Sequence, residues 1–295
     1  MLANKTKPNI QGNLNYRVIE DTHNRRIKLI GIEPHHFRER FAESLTQPIK
    51  EGTHKEFSKV IVMSPHSEPE AWKKLGLERE GCIKGFFADG RTAHVWSLFG
   101  KNRKENPAES LLHENVIDIA KSKEPAVPTL PTGYSCERAD RTHAAEISKL
   151  LQQTFSEYPN PLNEKTIQSF IDKGSHHYRV IRDSSGEVAA LASGEMDAKN
   201  KSAEMTDCAT KKTERGKGLM AYLLYTIEKD LKRHFGITNL FTLARAREIG
   251  VNCAFKKLGY CFGGRLKKNS LMPTGYESMN VWYKDSALLD LRFDK

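Results

Sequence analysis

Ala203-Glu-Met-Thr-Asp-Cys-Ala-Thr-Lys-Lys-Thr-Glu-Arg-Gly-Lys-Gly-Leu-Met-Ala-Tyr-Leu-Leu224, running on to Leu231, changes its period half-way. Glu204 to Thr210 reads as a strand, with Met205 and Ala209 on one face and Thr206, Cys208 and Thr210 on the other. From Leu219 the pattern turns helical: Leu219, Leu223, Leu224, Ile227 and Leu231 make one apolar stripe. Between them sits Arg215-Gly216-Lys217-Gly218. Glycines at a strand-to-helix junction let a ligand approach the backbone. The free amides of a helix start form a site for phosphate, and Arg215 and Lys217 add charge. A tight connection without any ligand fits the same residues. No Gly-Lys-Ser/Thr closes the turn as in a P-loop, and the third glycine of the dinucleotide fingerprint is missing.

Downstream, Asn239 to Ala244 reads as a strand, Gly250 to Leu258 as a helix stopped at Gly259, and Tyr260–Leu266 and Glu277–Trp282 as closing strands. Upstream come a strand at Tyr134–Arg138, helices at Thr142–Phe155 and Glu164–Lys173, and a hairpin of His177–Arg182 and Val188–Glu195 around Ser184-Ser-Gly-Glu187. Lys123 to Gly133 carries three prolines and reads as a linker. It divides the chain into residues 1–122 and 134–295.

The first part reads as a hairpin at 14–32, a helix from Pro34 to Gln47, a strand at Lys59–Met63 and a helix at Glu68–Leu75 ending at Gly76. Strands Cys82–Ala88 and Ala93–Phe99 follow, joined at Asp89-Gly90-Arg91, and then a helix at Ser110–Lys121. The whole is α/β with a mixed sheet. Trp72-Lys-Lys-Leu-Gly-Leu-Glu-Arg-Glu-Gly81 echoes Phe255-Lys-Lys-Leu-Gly-Tyr-Cys-Phe-Gly-Gly264. The echo is either a degenerate internal repeat or a chance recurrence of a common helix ending.

The 295 residues suffice for two ordinary domains, and 38% hydrophobic with 28% charged residues marks a globular chain. No apolar run spans a bilayer, and polar Met1–Asn13 is not expected to be a secretory signal. Five scattered cysteines without a Cys-x-x-Cys pair point to reduced thiols in a cytoplasm and to no metal site. The net charge of +10 is spread along the chain without a nucleic-acid-binding motif. Neither nucleic acid nor membrane is an expected partner.

Strand, Arg-Gly-Lys-Gly, then an amphipathic helix resembles the coenzyme A loop of the GNAT acetyltransferases, whose pattern is Arg/Gln-x-x-Gly-x-Gly/Ala. Arg215, Gly216, Lys217, Gly218, Leu219 and Met220 take these positions, and Met220 departs from the usual small residue. The order of elements from Tyr134 to about Lys284 is also similar to that family. The resemblance implies a C-terminal GNAT fold and acetyl-CoA as co-substrate. Cys208, Ala209 and Thr210 of the strand, the loop, and Asn252 and Phe255 of the later helix would then contact the cofactor. The N-terminal half is an α/β domain, and if the Lys-Lys-Leu-Gly echo is a repeat rather than chance it is a degenerate GNAT-like copy without the loop.

In the family the amine attacks the thioester directly, so Cys208, Cys253 and Cys261 are packing residues rather than nucleophiles. Glu204 resembles a strand-borne catalytic glutamate, and either Glu204 or Asp207 is the expected proton acceptor. A regular strand would put them on opposite faces, which a bulge would change. Phe255 stands where the family has a tyrosine acid, so solvent, Tyr260, Tyr276 or Tyr283 must serve instead. Gly275 to Lys284, Glu204-Met-Thr-Asp207 and Ala244-Arg-Ala-Arg247 resemble the β-lysine N-acetyltransferases that work beside lysine 2,3-aminomutase. Leu14-Asn-Tyr-Arg17 and Gly85-Phe-Phe87 extend the likeness.

That implies a small amine acceptor, acetylated on the side-chain amine of β-lysine to give a compatible solute. Acidic groups such as Asp207 or Glu277 would meet its ammonium groups, and Arg245 its carboxylate. A protein or peptide N-acetyltransferase and a non-catalytic coenzyme A module are the competing readings. Homodimer formation stays open.

Overall fold

The computed structural model describes residues 5–8, 16–155 and 163–284. Contacts divide the chain into two compact units. One comprises Met1–Val116, Arg245–Arg247 and Gly263–Val281, the other Ile117–Ala244, Glu248–Phe262 and Trp282–Lys295. The chain thus returns to the first unit after building most of the second. Leu14 and Asn15, at the start of the expected hairpin, lie outside the described residues.

In the first unit, β1 (Lys5–Pro8), β2 (Arg17–Asp21) and β3 (Arg26–Ile30) form an antiparallel series. Helix α1 runs from Pro34 to Arg40 and α2 from Gln47 to Glu51. The expected single helix over this span is broken at Phe41, and a wide turn fills Ala42–Thr46. Pro48, which has no amide to donate, falls in the first turn of α2, where none is needed.

Strand β4 (Lys59–Ser64) pairs parallel to β3 over its whole length, from Arg26↔Lys59 to Ile30↔Met63. Helix α3 (Pro69–Lys74), β5 (Glu78–Ile83), β6 (Ala93–Phe99) and α4 (Pro107–Lys121) follow. Strand β5 starts earlier than expected and stops at Ile83, where the chain turns at Gly85, so Phe86 to Ala88 are not part of it. The core collects Leu29, Phe37, Ile49, Val60, Trp72 and Trp96.

In the second unit, β7 (Ser135–Arg138), α5 (Ala144–Thr154) and α6 (Glu164–Asp172) lead into β8 (His176–Arg182) and β9 (Val188–Asp197). Strand β10 (Ser202–Thr210), α7 (Leu219–Phe235), β11 (Asn239–Arg245) and α8 (Ile249–Lys257) come next. The last strands are β12 (Cys261–Met272) and β13 (Gly275–Lys284). The order β11-β10-β9-β8-β7 is antiparallel except for the parallel β10/β11 pair.

Leu219, Leu223, Leu224, Ile227 and Leu231 are at most 1% exposed and pack on Ala203, Met205 and Leu240. Burying each such side chain contributes about 1.5–3 kcal/mol, which fixes α7 to one face of the sheet. The other face is covered by α5 and α6 through Ile147, Leu150, Leu151 and Ile167, against Tyr178, Val180, Leu191 and Ala209.

The two Lys-Lys-Leu-Gly segments end α3 and α8 by the same device. The amides of Gly76 and Leu77 donate to the carbonyls of Lys73 and Trp72, and those of Gly259 and Tyr260 to Lys256 and Phe255. This is the Schellman pattern, in which glycine accepts the left-handed turn. Among the described residues no helix is long and apolar enough to cross a membrane.

Asp230 of α7 binds Arg179 through both carboxylate oxygens and lies 2.6 Å from His177 Nε2. Burial lowers the His177 pKa below 6.5, although Asp230 opposes the shift. The unfolded chain therefore takes up a proton that the folded chain resists, and stability falls as pH drops below about 6.5. We expect the melting temperature to fall between pH 7.5 and 5.5 in the native protein, and by a smaller amount in His177→Gln; equal losses in thermal melts would refute this role.

Candidate active site

Strands β10 and β11 are joined only at Ser202↔Asn239, Ala203↔Leu240 and Glu204↔Phe241, although both run on. Their ladder stops at Glu204. Just beyond, the Thr242 hydroxyl donates to the Met205 carbonyl at 2.7 Å and closes the fork. The remaining stretch of β10 leads directly into the glycine loop and α7.

Strand β10 is also irregular against β9. Pairing passes from Thr206↔Ser193 to Ala209↔Leu191, so Asp207 and Cys208 together oppose one residue. Asp207 sits at φ +51°, a left-handed conformation that aspartate tolerates better than most residues. Its Oδ2 accepts from the Tyr178 hydroxyl at 2.7 Å and the Ser193 hydroxyl at 3.0 Å. Tyr178, Ser193 and Thr206 are direct cross-strand partners and share a face. Glu204, two residues before Thr206, projects from that face too. The bulge therefore brings both carboxylates to one side of the sheet, which a regular strand would not do.

Cys208 packs against the opposite, α7-side cluster. Burial first, and then the Asp207 charge, push its thiol up to about 12, so it stays protonated and is no nucleophile at neutral pH. Ala209, fully buried, packs under α5. Thr210 is half-buried, and its carbonyl lies 3.4 Å from Arg215 Nε.

In the loop, Gly216 and Gly218 hold φ +83° and +80°. A Cβ at either would meet nothing within 4 Å, so the backbone angle and not crowding calls for glycine. No side chain caps α7 and its first turn carries no acid, which leaves its amides to meet an anion. Lys217 Nζ lies 2.8 Å from the Tyr134 hydroxyl and 2.9 Å from Glu214, so this cation is held in place. Leu219 is buried, and Met220 packs half-buried against the core.

Comparison with known proteins agrees with this geometry. The profile of the Acetyltransferase (GNAT) family matches residues 144–260. The β-lysine N(6)-acetyltransferase of Methanosarcina mazei is 33% identical over 259 residues, covering 78% of this chain and 92% of that protein. That of Methanococcus maripaludis is 31% identical, covering 78% and 83%. The chain belongs to the GNAT acetyltransferase family. Among solved structures, spermidine N-acetyltransferase from Vibrio cholerae in complex with CoA and spermine is 13% identical, with a TM-score of 0.46 over 53% of this chain and 98% of that one.

As a GNAT acetyltransferase, the chain transfers an acetyl group from acetyl-CoA to an amine. Several residues expected at its site have other duties. Asn252 is fully buried; its Oδ1 accepts from Trp282 Nε1 at 2.8 Å and its Nδ2 donates to the Glu248 carbonyl at 2.7 Å. Phe255 is 1% exposed and packs edge-on against Tyr260 at 5.0 Å. Both are packed into the core.

Tyr260 is equally buried, and burial next to the Glu228 carboxylate raises its pKa far above 10, so it holds its proton. Tyr283 is 7% exposed, and Tyr276 lies under Arg103 at 3.4 Å in the first unit. Arg245 and Glu277, also of the first unit, pair with each other through two hydrogen bonds of 2.8 Å. Burial would raise the Glu277 pKa, but Arg245, then the Thr274 hydroxyl and then Arg247 hold it below 4.5. The two residues named for opposite ends of the acceptor thus neutralise one another.

Sequence reading missed Tyr178 and Ser193, which hold Asp207. Their alternation with buried residues marked the strands but not the bulge they face. We expect Gly218→Val to raise the KM for acetyl-CoA by about tenfold or more, since the left-handed turn costs an ordinary side chain about 1–2 kcal/mol. Gly218→Ala should lie between. Steady-state kinetics, with a thermal melt to show that folding is intact, measures it; unchanged KM in Gly218→Val would remove the loop from the cofactor site.

Proposed function

We propose that the protein acetylates the side-chain amine of β-lysine, with the acetyl-CoA thioester lying in the fork between β10 and β11. The observation that carries the reading is the end of the β10/β11 ladder at Glu204, on the strand that leads through the glycine loop into the uncapped α7. Pyrophosphate on the α7 amides and Arg215 would leave the pantetheine arm along the unpaired part of β10, with its acetyl end toward Glu204. The 33% and 31% identity to the two archaeal enzymes supports β-lysine as acceptor.

In this reading Glu204 takes the proton of the acceptor ammonium, directly or through one water. The free amine attacks the thioester carbon and forms the C–N bond, and the attacking nitrogen then releases its second proton to solvent. Collapse of the tetrahedral oxyanion breaks the C–S bond, and the thiolate takes a proton from solvent, since Phe255 has none to give. Asp207 holds Tyr178 and Ser193 and shapes the wall beside Glu204. The product keeps one ammonium and one carboxylate, as a zwitterionic compatible solute must.

We further propose that the first half is a degenerate copy of the second. Its β3-α1-β4 unit repeats the strand-helix-parallel strand order of β10-α7-β11. It has no fork, because β3 and β4 stay paired throughout. Pro34 at the start of α1 removes an amide, and Glu33 puts a negative charge where a phosphate would sit. Acetyl-CoA therefore has one site per chain.

Thiol release from acetyl-CoA against β-lysine, α-lysine, ornithine, polyamines and a basic peptide tests the acceptor. Release with β-lysine in clear preference is expected; release with peptide alone would overturn the reading. Glu204→Gln should then lower kcat about 100-fold or more. Asp207→Asn should lower it less, and normal turnover in both variants would exclude a carboxylate base on β10.

A further inference from the structure

The register that places Glu204 also places two groups outside the reaction itself. Glu204 pairs with Glu195 of β9, and Glu195 pairs with His176 of β8. Direct cross-strand partners in antiparallel pairs share a face, with Cβ atoms about 4.5–5.5 Å apart. His176, Glu195 and Glu204 thus form one row on the face that carries Tyr178 and Asp207.

His176 is a fixed member of this row. Its ring stacks on Phe170 at 4.1 Å and 10°, with Tyr178 parallel to it at 5.9 Å. Its Nδ1 lies 3.1 Å from the Ser175 hydroxyl, and its Nε2 lies 3.9 Å from Glu195 Oε2. That last separation is too long for a hydrogen bond. The Glu195 side chain is 56% exposed, so its carboxylate keeps capacity for a charged partner in solution.

We infer that Glu195 is the subsite for the second ammonium of a diamine acceptor, and that it determines selectivity for such acceptors. The inference rests on the assignment of Glu204 to the reacting amine. The two ammonium groups of β-lysine are joined by four carbons. That reach is comparable with the one strand spacing of about 4.8 Å that separates the two glutamates on their shared face. The packed rings of Phe170, His176 and Tyr178 fix the His176 end of the row, so Glu195 stands beside a rigid neighbour. A charge-assisted hydrogen bond from the distal ammonium to Glu195 would hold the acceptor with its other nitrogen at Glu204.

The experiment compares β-lysine with 6-aminohexanoate, which has the same reacting amine and carboxylate but lacks the second ammonium. Native protein should favour β-lysine. In Glu195→Gln that preference, as the ratio of kcat/KM values, should fall about ten- to hundredfold, chiefly through the KM for β-lysine. Glu195→Asp should recover part of it, and 1,4-diaminobutane, with the same four-carbon spacing, should follow β-lysine in losing affinity. An unchanged preference in Glu195→Gln would overturn the subsite while leaving the β-lysine reading intact. Equal losses with both acceptors would assign Glu195 a general structural role and overturn it as well. Native protein active only on a peptide would sink the β-lysine reading itself, and the subsite with it.

Discussion

The parting of β10 and β11 after Glu204 is the constraint on which the rest of the second unit depends. Two parallel strands that separate leave backbone amides and carbonyls without ladder partners, and buried groups of this kind must be satisfied in some other way. The Thr242 hydroxyl meets one of them at the base of the fork. In the proposed mode of binding, a pantetheine arm, itself built of amides, would supply the same type of donor and acceptor along the remainder. The fork stays open because α7 is anchored independently, by five buried side chains on the far face. Without that anchor, nothing would prevent the two strands from closing on each other as β3 and β4 do.

The bulge in β10 depends on the same arrangement. A non-glycine residue in a left-handed conformation costs of order 1–3 kcal/mol. Asp207 recovers part of this through two hydroxyl donors, Tyr178 and Ser193, on the neighbouring strands. A hydrogen bond to a charged group contributes about 1.5–3 kcal/mol, enough to offset the strain. The irregularity therefore holds one carboxylate still and turns its strand neighbour Cys208 into the core. Beside it, the row of Glu204, Glu195 and His176 keeps regular register, because the ladder is undisturbed on that side of Thr206.

What was legible in the sequence follows from how local each feature is. The glycine loop and α7 could be read because left-handed turns and a helical apolar stripe are written in adjacent residues. The Schellman ends at Gly76 and Gly259 are equally local. The packing of Asn252 was not legible, since a polar residue on a helix looks the same whether it faces a ligand or Trp282, which lies 30 residues on. Arg245 and Glu277 read as two separate recognition groups because their pairing spans 32 residues. The bulge left no glycine to mark it. The fork depends on where a ladder stops, and neither strand's composition records that.

The two halves differ in the features that the proposed cofactor site requires. Both contain a strand, a helix and a second strand parallel to the first. In the first half the helix begins with Pro34 after Glu33, and its strands are paired from end to end. In the second the helix begins after Arg-Gly-Lys-Gly, and its strands part after three pairs. Helix and strand propensity are served equally well by either version. The differences concern only backbone amides: whether they are present, whether an acid already faces them, and whether a neighbouring strand has taken them. A cofactor that binds through phosphates and peptide-like groups reads that difference directly, so a few residues at one junction separate a binding fork from a closed sheet of similar order.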